Sequence, residues 1–305
     1  MTRKWFVLGI GSAIVLTVAA VAAFVPAKYA YMALTTPGGT CTVARALDID
    51  NHKRELTEAK DRILRATKFV RTDETGLELY ETPYGPFWAP KGSKWILPFN
   101  FAEQAIAIYG TGAQAVQKGD VVLGCGANVG TFARFALDAG ASKVVAIEPA
   151  PDNIECLRRN FPKEIAGGRL VIYPKGVWDK DDMLEFLVDP ENQAADSFVI
   201  HRQGAQATVK LPLTTIDKMV AELGLTKVDY IKMDIEGAEV KAVQGARATI
   251  ARYHPRLSLS VYHQPDHPVE VPKAVKAAWP EVKIDCGHCA QTNGQIRSEV
   301  LYFHQ

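Results

Sequence analysis

The chain is poor in features that would announce a specialised class. Its 305 residues carry 35 Lys and Arg against 34 Asp and Glu, a formal net charge of +1. No field of one sign is available to gather a polyanion, so the charge gives no support for nucleic-acid binding. Cysteine is scarce: Cys41, Cys125, Cys156, Cys286 and Cys289 are odd in number and scattered. That argues against a disulfide framework and fits a reducing compartment. Cys286-Gly-His-Cys289 copies the spacing of a redox dithiol, but such a dithiol opens a helix early in its domain, and here only a short tail follows. A second ligand pair at zinc spacing is not evident, and no metal site is assigned. Internal repeats are absent, as are low-complexity tracts outside one apolar run near the N-terminus.

One further absence is informative. The run DVVLGCGANVG, from Asp120 to Gly130, has glycines at Gly124 and Gly126, but the sixth position of a dinucleotide fingerprint is Val129, with Gly130 one residue late. A diphosphate needs the tighter glycine approach. S-adenosylmethionine has no phosphate, and its amino-acid tail is held by a looser turn with a polar residue such as Asn128.

The surroundings of that turn form a nucleotide-binding βαβ unit. Val121 to Leu123 is a short apolar run of the kind a buried parallel strand carries. Thr131 to Ala139 has Phe132, Phe135, Ala136 and Ala139 at helical spacing, with Gly140 placed for a left-handed cap. Val144 to Ile147 reads as the next buried strand and ends on Glu148, an acid positioned to accept both hydroxyls of a ribose. Glycines and the N–H groups of a new helix favour an electron-rich group close to the backbone.

Four stretches together resemble one family. GANVGTF, then IEPAPDN with Glu148 and Asn153, then KMDIEGAE from Lys232 to Glu239, then SVYHQPD from Ser260 to Asp266 are similar to the FkbM family of S-adenosylmethionine-dependent methyltransferases. The resemblance covers roughly Leu77 to the C-terminus, and KMDIEGAE is its most specific piece. It implies a doubly wound Rossmann-like class I methyltransferase sheet, with S-adenosylmethionine held by Glu103, Gly124, Gly126, Asn128, Gly130, Glu148 and Asp234. The family usually carries an acid where this chain has Gly124.

Read in order, Trp5 to Val25 is uncharged and long enough to cross a bilayer, with Arg3 and Lys4 before it. It predicts a single-pass membrane anchor over 1–26; the small residues Ala19 to Ala23 leave signal cleavage open. The cytosolic origin of the cofactor outweighs the weak charge bias and places the domain in the cytosol. Residues 27–76 form a linker and a charged helix from Asp50 to Lys68, with Leu56, Ala59, Ile63 and Ala66 in one stripe, read as a stalk or as a packing helix. The methyltransferase domain spans 77–305. Leu77 to Glu81 alternates like a strand. The prolines from Pro83 to Pro90 predict turns, and Tyr84, Phe87, Trp88 and Trp95 either frame a substrate or wedge the extension onto the core. Phe101 to Tyr109 reads as a helix.

Beyond Glu148, Leu170 to Tyr173 is a third strand; Trp178 after it either stacks near the adenine or is a core aromatic. Met183 to Val188 and Ala207 to Leu211 suit a hairpin whose polar insert, Asp189 to Gln206, would cover the substrate. Val228 to Met233 is the strand expected beside the first, ending at Asp234-Ile-Glu236-Gly237 before a helix from Ala238 to Arg252. Ligands of open α/β sheets bind outside the carboxyl ends of strands. Asp234 and Glu236 there orient an acceptor hydroxyl, take its proton or hold a cation; otherwise Asp234 merely caps the helix. His263, after the strand Leu257 to Val261, faces the same cleft as a base or is structural. Val282 to Asp285 and Glu299 to Phe303 suit a closing antiparallel pair.

The function expected is therefore methyl transfer from S-adenosylmethionine to a hydroxyl of a glycan, a lipid-linked saccharide or another small acceptor, with Asp234, Glu236 and His263 at the reacting oxygen. The rivals are an NAD(P)-dependent oxidoreductase and a catalytically degenerate membrane-tethered binding module. The sequence does not determine the oligomeric state.

Overall fold

Neighbouring residues of the central strands face opposite ways, and the fold follows from this. Val122 and Tyr230 belong to one apolar cluster, Leu123 and Ile231 to another, and all four are fully buried. A strand apolar on both faces needs a layer of helices on each. The computed structural model describes residues 24–36, 40–188, 207–292 and 295–305. The chain opens with α1 (24–35), α2 (Val43–Leu47) and α3 (Ile49–Ala66). An antiparallel sheet of β1 (Lys68–Thr72), β2 (Glu78–Thr82) and β3 (Gly85–Ala89) follows, then α4 (Ile96–Ala105).

The doubly wound part comprises β4 (Val121–Cys125), α5 (Thr131–Asp138), β5 (Lys143–Ile147), α6 (Pro151–Asn160), α7 (Pro162–Ala166) and β6 (Leu170–Tyr173). A side sheet is made of β7 (Gly176–Val177), β8 (Asp182–Val188) and β9 (Ala207–Thr214), with α8 (Ile216–Glu222) after it. The second half is β10 (Tyr230–Met233), α9 (Glu239–Gln244), α10 (Arg247–Tyr253), β11 (Arg256–Ser260), α11 (His267–Ala278) and β12 (Lys283–Cys286). The hairpin of β13 (Cys289–Thr292) and β14 (Gln295–Ser298) precedes the last strand, β15 (Val300–His304). The main sheet has seven strands in the order β12-β15-β11-β10-β4-β5-β6. β11, β10, β4, β5 and β6 run parallel, and β15 inserts antiparallel between β11 and β12. This is the mixed sheet of an α/β methyltransferase fold, and its order reverses between β4 and β10, where a ligand crevice opens.

Four sequence expectations change. Pro86 does not break the chain into turns: β3 pairs with β2, and a residue lacking N–H is tolerated on an edge strand. The helix expected over Phe101 to Tyr109 is Ile96–Ala105, because Ala107 takes φ 57° and directs Ile108 and Tyr109 inward. The helix expected from Ala238 to Arg252 is two, broken at Gly245, where a Cβ would stand 1.9 Å from the Trp178 carbonyl oxygen.

The fourth concerns cysteine. Cys41 and Cys289 form a disulfide, while Cys125, Cys156 and Cys286 are free. The expectation of unpaired thiols is overturned because packing of the β13–β14 hairpin against α2 and α3 joins positions 248 residues apart, a proximity that spacing in the chain does not show. Cys286 is thus no partner of Cys289.

The stripe of α3 packs on its own domain, burying Ala59 and Ile63 against the cluster that holds Phe101 of α4. The expected membrane span falls almost wholly outside the described residues, as does the insert over 189–206. Among the described residues no helix is long and apolar enough to cross a membrane.

Candidate cofactor and acceptor site

The turn after β4 is built for close approach. Gly126 has φ +73°, and a Cβ on it would stand 2.0 Å from the Asp234 carbonyl oxygen, so the ends of β4 and β10 lie backbone to backbone. The N–H groups of Gly126 and Ala127 both donate to the Ile147 carbonyl, at 3.1 and 3.0 Å. Asn128 sits at φ 49° and donates its N–H to Glu148 Oε2 at 2.8 Å. Glu148, buried at the tip of β5, also accepts from Ala150 N–H at 3.0 Å. Burial raises its carboxyl pKa, and these donors with Asn153 partly offset that.

Gly126, Asn128, Glu148, Glu103, Asp234 and Glu236 line one cleft, together with Asn153, Lys175 and Lys232. Three residues expected at the cofactor lie elsewhere. Gly124 is buried inside β4, where a Cβ would meet the Phe132 ring at 3.5 Å. Gly130, at φ +98°, precedes α5, and a Cβ there would run into Phe161 at 2.3 Å, so its role is packing. Trp178 is not among the lining residues; its N–H donates to the Thr214 carbonyl, and Lys175, Gly176 and Val177 line the cleft in its place.

The donor set of this cleft suits S-adenosylmethionine. Asn153 Oδ1 is buried without a hydrogen-bond partner among the described residues, beside the Glu148 carboxylate. Buried acceptors of this kind need donors, and a nucleoside offers hydroxyls and an amine. Beside Glu103, the described lining carries three further carboxyl groups, Glu148, Asp234 and Glu236, against the ammonium groups of Lys175 and Lys232. Such a balance favours a cationic sulfonium and α-ammonium over a diphosphate.

The acidic end has a layered order. Asp234 follows β10 and accepts from the Tyr109 hydroxyl at 2.6 Å, while Lys232 Nζ lies 3.8 Å away and donates to the Gly126 carbonyl at 3.0 Å. Burial works to raise the Asp234 pKa, but Lys232, His263 and the Tyr109 hydroxyl hold it below the usual carboxylate range. Glu103, on α4, goes the other way: burial, then the Asp234 charge, push it to about 8, so it is a neutral donor at pH 7. Glu236 adopts φ 52°, a left-handed conformation that non-glycine residues keep where surrounding structure imposes it.

His263, after β11, is buried. Its Nδ1 lies 2.8 Å from Oε1 of the fully buried Glu239, and its Nε2 lies 3.4 Å from Asp234 Oδ1 and 3.7 Å from Glu236 Oε1. Desolvation lowers its pKa, yet Glu239, Asp234 and Glu236 outweigh that and push it up to about 9. The structure therefore brings Asp234, Glu236 and His263 together. It also gives His263 a charge at neutral pH that excludes it, in this state, from acting as the base.

A second cleft backs onto the first. Trp95, Phe99 and Tyr262 line it with exposed rings, along with His52, Leu56 and Lys60 of α3, and it shares Asn100, Glu103, Asp234 and Glu236 with the cofactor cleft. His263 lines this side only.

The model of the methyltransferase FkbM domain matches residues 124–282, more than half of the chain. The chain belongs to the FkbM methyltransferase family. Its domain is a methyltransferase domain with S-adenosylmethionine as cofactor, and the oxidoreductase rival falls. The chain is 24% identical over 132 residues to the hexuronic acid methyltransferase AglP of Haloferax volcanii, covering 43% of this chain and 52% of that protein. The chain thus spans about half the length of that curated relative. Among solved structures, it is similar to the methyltransferase FkbM from Methylobacillus flagellatus KT, with TM-score 0.48 and 16% identity, over 85% of this chain and 62% of that one. It is also similar to Aeropyrum pernix fibrillarin with bound S-adenosyl-L-methionine, with TM-score 0.40 and 14% identity, over 78% and 99%.

Reasoning from sequence missed five residues of this FkbM site: Tyr109, Lys232, Glu239, Asn153 and Tyr262. Four of them stand inside the stretches KMDIEGAE, IEPAPDN and SVYHQPD, so the motifs pointed at them without assigning them work. Tyr109 carried no signal, since its contact with Asp234 joins positions 125 apart.

Proposed function

We propose that this protein transfers the methyl group of S-adenosylmethionine to a hydroxyl oxygen of a sugar acceptor bearing a carboxylate. The observation that carries the reading is the wall of Glu103, Asp234 and Glu236 that the two clefts share. S-adenosylmethionine, when bound, supplies an electrophilic methyl on a sulfonium. Glu148 and Asn153 hold the nucleoside end through their acceptor oxygens. Asp234, fixed by Tyr109 and Lys232, stands at the boundary of the clefts, and with Glu236 it receives the hydrogen of an acceptor hydroxyl and turns the oxygen lone pair toward the methyl carbon. Positioning of this kind supplies most of the acceleration in a one-step displacement, through effective molarities of about 10⁵ M or more. Proton acceptance adds roughly 10²- to 10⁴-fold.

The acceptor class follows from the second cleft. Trp95, Phe99 and Tyr262 offer flat faces on which the C–H face of a pyranose packs. Lys60 supplies the positive group that a uronate carboxylate seeks. The hexuronic acid acceptor named for the Haloferax volcanii relative supports the same class.

The test is calorimetric titration with S-adenosylmethionine, S-adenosylhomocysteine and NADH, followed by methyl transfer to a panel of glucuronides and matching glucosides. Binding of both sulfur ligands but not NADH is expected, with transfer to the glucuronides. Glu148→Gln weakens cofactor binding about tenfold or more, one charge-assisted contact being worth about 1.5–3 kcal/mol. Failure to bind either sulfur ligand, or transfer to neither sugar series, removes the proposal.

A further inference from the structure

His263 is set up as a metal ligand more fully than as a hydrogen-bonding group. Its side chain is 3% exposed, and Nε2 has no hydrogen-bond partner among the described residues. That nitrogen looks toward two carboxylate oxygens, Asp234 Oδ1 at 3.4 Å and Glu236 Oε1 at 3.7 Å. Both separations exceed a good N–H···O bond. Two ligands each about 2.0–2.2 Å from one ion, at angles of roughly 90–110°, stand about 2.9–3.5 Å apart, which the first pair meets. Behind the ring, Glu239 Oε1 accepts from Nδ1 at 2.8 Å and is itself held by the Ile235 N–H at 2.9 Å. A carboxylate behind the imidazole keeps the proton on Nδ1, so a cation that displaces the Nε2 proton meets a lone pair there, the arrangement that supports metal-bound histidines.

We propose that His263 Nε2 and Asp234 Oδ1, joined by Glu236 Oε1 through rotation of its side chain, bind one divalent cation between the two clefts. One imidazole and two carboxylates select a first-row ion of Mn²⁺ type over soft-ligand metals. Asp234 and Glu236 also line the acceptor cleft, so the ion faces the acceptor and, on the methyltransferase reading above, holds an oxygen of the sugar beside the methyl group. The inference rests on that reading for its role, but the site itself stands on the donor geometry. Tyr109 and Lys232 hold the other oxygen of Asp234, and Oδ1 takes besides only a long bond from the Tyr262 hydroxyl at 3.5 Å, which the ion displaces.

The experiment uses the full chain with Mn²⁺ alone as the probe, at pH 8. Electron paramagnetic resonance counts bound Mn²⁺ and pulsed measurements report a directly bound nitrogen, while calorimetry follows S-adenosylmethionine on the same samples. One saturable equivalent with a nitrogen coupling is expected. His263→Gln should abolish the coupling and weaken Mn²⁺ about 10- to 100-fold, with S-adenosylmethionine affinity kept, since His263 does not line the cofactor cleft. Glu236→Gln is the second variant and should weaken Mn²⁺ by a similar factor should the first fail to fold. S-adenosylmethionine binding without a saturable Mn²⁺ site, or Mn²⁺ binding that survives His263→Gln, overturns the cation site and leaves the methyltransferase reading standing. A Mn²⁺ site with the nitrogen coupling but no cofactor binding supports the cation site and overturns the methyltransferase reading.

Discussion

Gly126 shows how a single missing side chain permits the site. At φ +73° a residue with a Cβ costs about 1–2 kcal/mol, and this Cβ would collide with a backbone oxygen rather than a yielding side chain. Gly126→Ala is expected to destabilise the protein by about 2–4 kcal/mol in all and to weaken S-adenosylmethionine at least tenfold, as the turn moves away from Asp234. Thermal unfolding and calorimetry check this; an alanine variant with unaltered affinity places the cofactor elsewhere. Gly124 and Gly130 belong to the same run, yet they face Phe132 and Phe161. A glycine motif tells that the backbone is crowded, but not whether a ligand or an aromatic ring does the crowding. The same holds for Trp178, whose carbonyl, not its indole, makes the tight contact with Gly245.

At the scale of elements, the N-terminal sheet is fastened by one side chain. Asn160, the last residue of α6, accepts from Trp88 N–H at 2.7 Å and donates to the Trp88 carbonyl at 3.0 Å and the Val129 carbonyl at 2.9 Å. It ties β3, α6 and the glycine turn together, and Arg159 beside it pairs with Asp73 and lies over the Trp88 ring. Asn160→Ala leaves a donor and two acceptors without partners and should cost about 2–4 kcal/mol, read as a fall in the urea midpoint. An unchanged midpoint would show that β3 is held by its apolar packing alone. Strands and helices of the βαβ core were legible because their apolar periodicity is local. β3 was not, because its neighbouring prolines argue for turns, and only pairing with β2 and docking on α6 make it a strand.

Across the whole molecule, the two ends of the described chain close on each other. The Cys41–Cys289 disulfide, the stacked rings of His52 and His288 at 3.7 Å, and the His52–Glu299 pair at 3.0 Å join α2 and α3 to the C-terminal hairpin. Burial first, then the charges of His52 and Arg45, depress the His288 pKa from 6.5 to about 4, against the opposing pull of Glu299 and Asp48. Above pH 6.5 the imidazole is neutral in the folded and unfolded chains alike, and the seam has its full strength. Between 6.5 and about 4 the unfolded chain takes up a proton that the folded one refuses, so stability falls as pH falls through that window. His288→Phe should flatten the slope of thermal midpoint against pH between 6.5 and 4; a slope unaltered by the substitution would assign it to other groups. The seam also forms one wall of the second cleft, since His52 and Glu299 line it.

What the sequence determined by itself was the local chemistry: the βαβ unit, the looser glycine turn that disfavours a dinucleotide, the acid at Glu148 and the paired carboxylates after β10. Each depends on residues within a few positions of one another, where periodicity and spacing report directly on structure. Only the tertiary structure decided that Gly126 of that glycine run lines the cleft, that Cys41 meets Cys289, that Tyr109 and Lys232 fix Asp234, and that Glu239 orients His263 toward two carboxylates. The physical reason is common to all four: burial and charge are set by neighbours far off in the chain, and a side chain's work depends on them.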